Sequence, residues 1–223
     1  MAIIKYVGSK SRIAKHIVPI IQSYIDSTSA AFYLEPFIGG ANVIDKISCD
    51  RKIGYDINHY LIELFKHRDQ ITSLPDEITQ EEYAAVRKSY QMQDGKYPDW
   101  YIGAVGFLAS YNGKFFGGRA GIVKTKIDTY RNYYDEAKRN VIAQLPNLQD
   151  VEFAEADYRT LDLDCFRGGV ISVTFLIRER LDTKMISIMM NSGNGQSKRL
   201  KRILFWYQNN KHQRIGDQFG RSQ

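Results

Sequence analysis

Residues 33–40 have the sequence YLEPFIGG, and residues 53–58 have the sequence IGYDIN. Each stretch is typical of a short buried strand that ends in a polar turn, and the first turn is rich in glycine. Asp56 follows the first strand by about 20 residues, the spacing at which a carboxylate meets ribose hydroxyls in a nucleotide-binding βαβ unit. The two stretches therefore predict an α/β fold that binds a nucleotide-like cofactor.

The glycine turn and the acid each have a plainer interpretation. Gly39 and Gly40 would suit an ordinary structural turn, since glycine has no Cβ and tolerates positive φ. Asp56 could simply cap the following helix. The combination of turn and acid at this spacing favours the cofactor interpretation, and Asp56 could serve in both ways.

Composition is typical of one α/β domain with a sizeable core. The chain has 223 residues, of which 43% are hydrophobic, and no apolar run approaches the ~20 residues of a membrane span. We therefore expect a cytoplasmic protein that does not bind membranes. Cys49 and Cys165 lie far apart in the sequence and predict buried free thiols. The four histidines show no ligand spacing, so the sequence predicts no metal site.

The positive charge is concentrated at one end of the chain. Residues 171–223 contain ten lysines and arginines against three aspartates and glutamates, a net charge of +7. Residues 1–170, with 21 basic and 22 acidic side chains, have a net charge of −1. The overall charge of +6 is therefore weak evidence that the folded domain itself binds nucleic acid.

Hydrophobic periodicity predicts an alternation of helices and strands. Helices are expected over residues 11–25, 42–47, 58–67, 79–90, 99–110 and 129–145, and strands over 32–34, 52–55, 151–153 and 169–173. Thr79 and Glu82 form a capping-box pattern. The alternation favours an α/β fold with residues 68–130 as an inserted helical module.

Two polar segments are candidates for ligand contacts. Residues 111–119 mix aromatic, amide and basic side chains, which suits contacts to phosphates and unstacked bases; an ordinary surface loop explains the composition equally well. Lys5 and Lys10 precede the first helix, where a cation and a helix N-terminus together favour an anion such as a carboxylate. A solvated lysine is the plainer interpretation.

Several motifs in a fixed order resemble those of the Dam-type DNA adenine methyltransferases. They are Lys5-Tyr6-x-Gly8-x-Lys10, Glu35-Pro36-Phe37-x-Gly39-Gly40, Asp56-Ile57-Asn58, the loop from Tyr111 to Gly117, and the strand with its acid from Phe153 to Tyr158. The resemblance covers residues 3–171. It implies methyl transfer from S-adenosyl-L-methionine to the exocyclic amine of adenine in double-stranded DNA, which requires the target base to be flipped out.

The resemblance also implies a fold, a division of the chain and a set of site residues. The fold is an incomplete Rossmann-like S-adenosylmethionine-dependent methyltransferase sheet with an inserted helical DNA-recognition module, in a monomer. Residues 1–67 form the cofactor half, 68–130 the recognition insertion, 131–171 the return to the methyltransferase domain, and 172–223 an aberrant basic tail. The implied cofactor-binding residues are Tyr6, Lys10, Glu35, Phe37, Gly39, Gly40, Asp56, Asn58 and Asp157. The implied DNA-binding residues are Tyr111, Asn112, Lys114 and Arg119.

The sequence departs from the family where the catalytic tetrapeptide Asp-Pro-Pro-Tyr should follow the fourth strand. Residues 170–178 have the sequence VISVTFLIR, and all five prolines lie at or before Pro146. When each codon's third base is read with the first two bases of the next codon, Val173 to Ile177 can encode Asp, an apolar residue, Pro and Tyr. We therefore expect a frameshifted, truncated methyltransferase that has lost its catalytic residues.

Three other interpretations remain open from the sequence. Residues 172–223 could be a genuine divergent tail that binds nucleic acid, and the chain could then be a noncatalytic DNA-binding protein. A methyltransferase acting on RNA or on a small molecule is a further alternative, in which the order of Tyr6, Lys10, Glu35 and Asp56 would be a coincidence.

Overall fold

The computed structural model describes residues 6, 9–124, 126–161, 168–178, 183–191, 203–208 and 211–214. From residue 173 onward the description is of the strand backbone. Lys5 and Gly8 of the first motif, and Cys165, lie outside the described residues.

The described residues form helices and strands in alternation along the chain. The helices are α1 (Ser11–Thr28), α2 (His59–Lys66), α3 (Gln80–Met92), α4 (Asp99–Leu108) and α5 (Tyr133–Gln144). The strands are β1 (Tyr33–Glu35), β2 (Lys52–Asp56), β3 (Ile122–Lys124), β4 (Tyr130–Asn132), β5 (Val151–Glu155), β6 (Val170–Arg178), β7 (Thr183–Asn191), β8 (Ile203–Gln208) and β9 (Lys211–Arg214).

The chain divides into two compact units. The helical unit consists of Met1–Lys15, Gly39–Lys46 and Asn58–Gln149, and contains α2 to α5 with the β3–β4 hairpin. The sheet unit consists of His16–Ile38, Ile47–Ile57 and Asp150–Gln223, and contains the seven-stranded sheet.

The sheet has the strand order β5-β2-β1-β6-β7-β8-β9. β5, β2, β1 and β6 are parallel, and β6 to β9 pair antiparallel. The parallel strands confirm the predicted α/β, Rossmann-like class. β7 pairs along the whole length of β6, so β6 is an inner strand of the sheet.

A small apolar cluster covers one face of the parallel strands. Phe32, Leu34, Ile53 and Ile171 are buried together, with the partly buried Tyr55 packed against them. The alternation of β1 and β2 residues in this cluster follows from the two-residue period of a strand. The packing fixes the register in which the parallel strands lie, and so the position of the polar residues at their ends.

The segment after β1 differs from the sequence prediction. A helix over residues 42–47 was wrong, because the structure has only a single 3-10 turn, Ile44–Lys46. Gly39 and Ala41, just before this segment, adopt left-handed φ values of 49° and 55°, which belong to a turn of the backbone.

The start of the helix predicted over residues 129–145 also differs. Tyr130–Asn132 pairs antiparallel with Ile122–Lys124, so the segment begins as a strand. Asn132 then caps α5, since its Oδ1 accepts hydrogen bonds from the Tyr134 and Asp135 amides at 3.1 and 3.2 Å. Helical periodicity alone could not show the pairing, which depends on residues earlier in the chain.

Other local predictions were confirmed in part. Thr79 caps α3, and its Oγ1 accepts from the Glu82 amide at 3.1 Å. The Glu82 carboxylate accepts a hydrogen bond from the Tyr101 hydroxyl. Cys49 is a free thiol but is only half-buried, so the prediction of full burial was wrong. In the part of the chain that the structure describes, no helix combines the length and apolarity needed to cross a membrane.

Close packing of α2 against α4 depends on Gly103. A Cβ at Gly103 would lie 2.2 Å from the backbone oxygen of Tyr60, an overlap that only a backbone shift could relieve. We expect Gly103→Ala to lower the free energy of unfolding by about 2–3 kcal/mol, the usual result of overpacking. Gly121→Ala is the matched control, since its Cβ would meet no backbone atom and only the terminal Nη1 of Arg119, at 3.2 Å. Urea denaturation measures both, and equal losses would contradict the prediction.

Candidate functional site

Three carboxylates lie at the carboxyl ends of neighbouring parallel strands in the sheet unit. Glu35 ends β1, Asp56 ends β2, and Asp157 follows β5 by two residues. β1 pairs with β2 and β2 pairs with β5, so the three strand ends occupy one edge of the sheet. Glu35 and Asp56 are buried, with 1% and 8% of their surface exposed. In open α/β sheets this edge is where ligands bind.

Asp56 does not cap the helix that follows it. Its backbone oxygen accepts from the Ala156 amide at 3.1 Å, which extends the pairing of β2 with β5. Asn58 is the N-cap of α2, and its Oδ1 accepts from the Leu61 amide at 3.0 Å. The residue that caps α2 is therefore Asn58 and not Asp56.

The capping role of Asn58 can be separated from any role in binding. We expect Asn58→Ala to lower the free energy of unfolding by about 1 kcal/mol, because the Leu61 amide loses its partner. Asn58→Asp keeps an oxygen at the cap and should retain nearly full stability. Chemical denaturation of the three proteins measures the difference. Equal destabilisation by both substitutions would argue against the cap.

Asp157 is held in place by its neighbour Arg159. The Arg159 amide donates to Asp157 Oδ1 at 2.9 Å, and the guanidinium Nε donates to both oxygens at 3.0 Å. These bonds lower the pKa of Asp157 to about 2. Because this pKa is lowered on folding, the pair stabilises the fold at neutral pH and is lost as the pH falls towards 2.

The surroundings of Glu35 and Phe37 are aromatic. Burial and the neighbouring Glu35 carboxylate raise the pKa of Tyr33 well above its ordinary value, so that its phenol stays protonated. The Phe37 ring lies 4.9 Å from the Tyr158 ring, centroid to centroid, in a tilted arrangement. The residues before the glycine turn and after β5 therefore meet within the sheet unit.

In the helical unit, the first motif and the glycine turn meet directly. A Cβ at Gly39 would lie 3.2 Å from the Tyr6 ring, and Gly39 has a φ of 49°. Tyr6 also packs against Phe107, with 5.6 Å between ring centroids. Lys10 is buried, and its backbone oxygen accepts from the Ile13 and Ala14 amides at the start of α1. Sequence motifs 30 residues apart are thus brought together.

Sequence reasoning missed the side chain that supports this turn from α5. Gln144 is 1% exposed, and its Nε2 donates to the Gly40 and Ala41 oxygens at 3.3 and 3.0 Å. The signal was a polar residue in line with the buried positions Ala137 and Val141 of an amphipathic helix. Three- and four-residue spacing puts Gln144 on that same buried face.

The segment proposed to contact DNA, residues 111–119, has a buried part and an exposed part. Phe115 and Phe116 pack inside the helical unit, with ring centroids 4.8 Å from Phe107 and 5.4 Å from Tyr90, respectively. Phe116 is therefore buried in the core, and Phe115 is half-buried beside it. Tyr111, Asn112 and Lys114 are exposed.

Arg119 anchors the end of that loop. Its Nε donates to the Ile78 oxygen at 2.8 Å, and its Nη2 pairs with Glu77 Oε1 at 2.9 Å. The Tyr111 amide donates to the Gly118 oxygen at 2.9 Å, which closes the loop upon itself. The Arg119 guanidinium is therefore bonded to Ile78 and Glu77, whereas Lys114 is exposed to solvent.

The β3–β4 hairpin was not predicted from the sequence and exposes apolar side chains to solvent. Ile122, Val123, Ile127 and Tyr130 have 41–81% of their surface exposed. Arg131 on the same hairpin pairs with Glu136. An exposed apolar group of this kind is a common feature of interaction surfaces.

Comparisons with known proteins identify the family. The comparison with curated proteins gives no significant match. The family model for the D12 class N6 adenine-specific DNA methyltransferases matches residues 6–163, which include both strands of the opening motif, the Tyr111–Arg119 loop and Asp157. The chain therefore belongs to the D12 class N6 adenine-specific DNA methyltransferase family.

Proposed function

We propose that the chain binds S-adenosyl-L-methionine as a methyltransferase of this family does, but lacks the residues that would activate the target adenine. By resemblance to the family, the cofactor-binding residues would be Tyr6, Lys10, Glu35, Phe37, Gly39, Gly40, Asp56, Asn58 and Asp157. S-adenosyl-L-methionine supplies a methyl group on a sulfonium centre when it is bound.

The observation that carries the proposal is the set of strand ends formed by Glu35, Asp56 and Asp157. Acids at the ends of neighbouring parallel strands, of which Glu35 and Asp56 are buried, are suited to hydroxyl and amine donors of a nucleoside. The charge on these acids is consistent with a sulfonium-bearing, hydroxyl-rich cofactor, and a phosphate-bearing one would be repelled.

The glycine turn fits the same group. Glycine at Gly39 is required twice, by its left-handed φ and by the Tyr6 ring that a Cβ would approach to 3.2 Å. A turn without side chains lets a ligand approach the backbone closely. By resemblance, the aromatic rings of Tyr6 and Phe37 would border the cofactor.

The proposed loss of activity rests on residues 170–178. In the family, an Asp and an adjacent carbonyl accept hydrogen bonds from the target amine, and an aromatic residue stacks on the flipped base. The sequence VISVTFLIR has no carboxylate, amide or proline that could do this. The exposed Tyr111, Asn112 and Lys114, with Arg119, would still contact DNA.

The proposal is tested by isothermal titration of the purified chain with S-adenosyl-L-methionine. We expect saturable binding with a dissociation constant below about 1 mM, within the usual range for enzyme ligands. S-adenosyl-L-homocysteine should compete, since it keeps the adenosine and amino-acid groups. ATP, which carries the same nucleoside with phosphates, should not. A chain that binds neither sulfur compound would refute the proposal.

The high charge of residues 171–223 favours a second candidate, a noncatalytic DNA-binding protein. Lysine and arginine side chains release counterions from DNA and give salt-dependent binding without sequence preference. Fluorescence anisotropy with a labelled duplex tests it on the full chain and on a chain lacking residues 172–223. DNA binding lost with the tail, in a chain that does not bind S-adenosyl-L-methionine, would favour this candidate over the first.

A further inference from the structure

The glycine turn is held by side chains that donate hydrogen bonds to its backbone carbonyls. Gln144 Nε2 donates to the Gly40 oxygen at 3.3 Å, to the Ala41 oxygen at 3.0 Å, and to Asp45 Oδ2 at 3.2 Å. All three acceptors lie between 99 and 104 residues earlier in the chain. One buried amide therefore joins the end of α5 to the turn.

A second side chain, that of Lys46, also donates a hydrogen bond to a carbonyl of the turn. Lys46 Nζ donates to the Asn42 oxygen at 3.0 Å and pairs with Asp45 at 2.6 and 2.8 Å. Three consecutive carbonyls, those of Gly40, Ala41 and Asn42, are thus bound by side chains. Asp45 is 6% exposed and connects the two donors.

The other side of the turn is tied to the start of α1. Asn42 Nδ2 donates to Ser9 Oγ at 3.1 Å, and the same oxygen accepts from the Ser11 amide at 3.3 Å. The turn is thereby linked to the segment that carries Tyr6 and Lys10. The conformation of the turn therefore depends on Ser9, just before α1, and on Gln144, at the end of α5.

The network explains how the turn keeps an unfavourable backbone conformation. Ala41 has a φ of 55°, and a residue with a Cβ is strained in that region. Such a conformation persists only where the surroundings over-determine it. Gln144 bonds the carbonyl of Ala41 itself and that of Gly40 before it, so that it acts on the strained residue directly.

We propose that Gln144 is a positioning residue for cofactor binding, which holds the Gly39–Gly40 turn in the shape that S-adenosyl-L-methionine requires. The inference rests on the proposed function. Gln144 acts through the turn and is not assigned a contact with the cofactor. A neutral amide suits the position, because a carboxylate there would face the Asp45 carboxylate and two carbonyl oxygens.

The test compares Gln144→Met with Lys138→Met in the full chain. Methionine has nearly the volume of glutamine and cannot donate, so Gln144→Met removes the side-chain hydrogen bonds to the Gly40 and Ala41 carbonyls. Lys138 lies on the same helix and is also buried, but its Nζ donates to the Leu74 and Pro75 oxygens instead. A purely structural effect of loosening α5 would appear in both variants.

We expect Gln144→Met to raise the dissociation constant for S-adenosyl-L-methionine about 10-fold, the usual effect of losing a hydrogen bond that orders a site. Gln144→Glu should raise it further. Lys138→Met should lower the melting temperature comparably and leave the dissociation constant within about twofold. Wild-type affinity in folded Gln144→Met would overturn the inference, and so would an equal loss of affinity in Lys138→Met.

Two further outcomes are distinguishable. If Gln144→Met does not fold, Gln144→Asn replaces it, since asparagine keeps the amide but retracts it by one methylene group; wild-type affinity in that variant would also overturn the inference. If the wild-type chain itself does not bind S-adenosyl-L-methionine, the proposed function fails. If the wild-type chain binds S-adenosyl-L-methionine and the Gln144 variants bind it equally well, only the positioning role of Gln144 is refuted.

Discussion

The purified chain is expected to transfer no measurable methyl group from S-adenosyl-L-methionine to adenine in DNA. The exocyclic amine is a poor nucleophile, because its lone pair is delocalised into the ring. Acceptors that hold its protons redirect the lone pair, and groups that handle protons in this way typically contribute about 10²–10⁴-fold to a rate. Residues 170–178 carry no such acceptor side chain apart from two hydroxyls.

The measurement is incorporation of tritium from labelled cofactor into duplex DNA over several hours. A family member that has the Asp-Pro-Pro-Tyr motif serves as the positive control, and titration calorimetry on the same preparation shows whether cofactor is bound. Incorporation clearly above a protein-free blank would contradict the expectation. Binding without incorporation would separate the loss of chemistry from the loss of the fold.

The nucleotide sequence provides an independent check on why the motif is missing. Under the frameshift hypothesis, the codon for Val173 ends in G, the codon for Phe175 ends in C, and the codon for Leu176 ends in T. These bases give Asp, Pro and Tyr in the shifted frame. Any other base at these three positions would exclude a shifted Asp-x-Pro-Tyr and favour a genuine divergent tail.

Replacing Asp56 with alanine is expected to abolish cofactor binding, raising the dissociation constant about 100-fold or more. A carboxylate that accepts two ribose hydroxyls makes two charge-assisted hydrogen bonds, each worth about 1.5–3 kcal/mol. A loss of 2.8 kcal/mol corresponds to a factor of about 100. Asp56 is buried at the end of β2, where an adjacent water would replace those bonds poorly.

Asp50→Ala is the matched control for this substitution. Asp50 is an exposed carboxylate just before β2, so its removal changes the net charge equally and leaves the strand end intact. Asp56→Asn should fall between the two, because it keeps one acceptor oxygen and loses the charge. Calorimetric titration measures all three. Near-normal affinity in Asp56→Ala, with the fold verified by circular dichroism, would rule out the ribose role.

The elements predicted correctly from the sequence are those stabilised by neighbouring residues. The α1 helix, the α3 cap at Thr79 and the short strand β2 each follow from local periodicity or capping. The prediction failed at residues 42–47 and 129–132. At residues 42–47 the backbone is fixed by Gln144, about a hundred residues away in the sequence. At residues 129–132 it is fixed by hairpin pairing with β3, which helical periodicity does not show.

The candidate site shows the same division. Gly39 and Asp56 are recognisable because a glycine turn and an acid at a set spacing are features of the sequence itself. Gln144 carries no motif, and its three acceptors lie about a hundred residues away, so that only the fold brings them together. The exposed hairpin was missed because its strands are three residues long, too short for an alternating pattern.

The position of β1 between β2 and β6 has a consequence for synthesis of the chain on the ribosome. Tyr33 pairs with Lys52 on one side and with Val170 on the other. One side of β1 is therefore complete soon after it leaves the ribosome, while the other waits for about 140 more residues to be translated. At bacterial-like speeds of about 5–20 residues per second, that wait is about 7–28 seconds. During this interval a nascent β1 presents unpaired backbone groups, a state in which chaperone capture competes with folding.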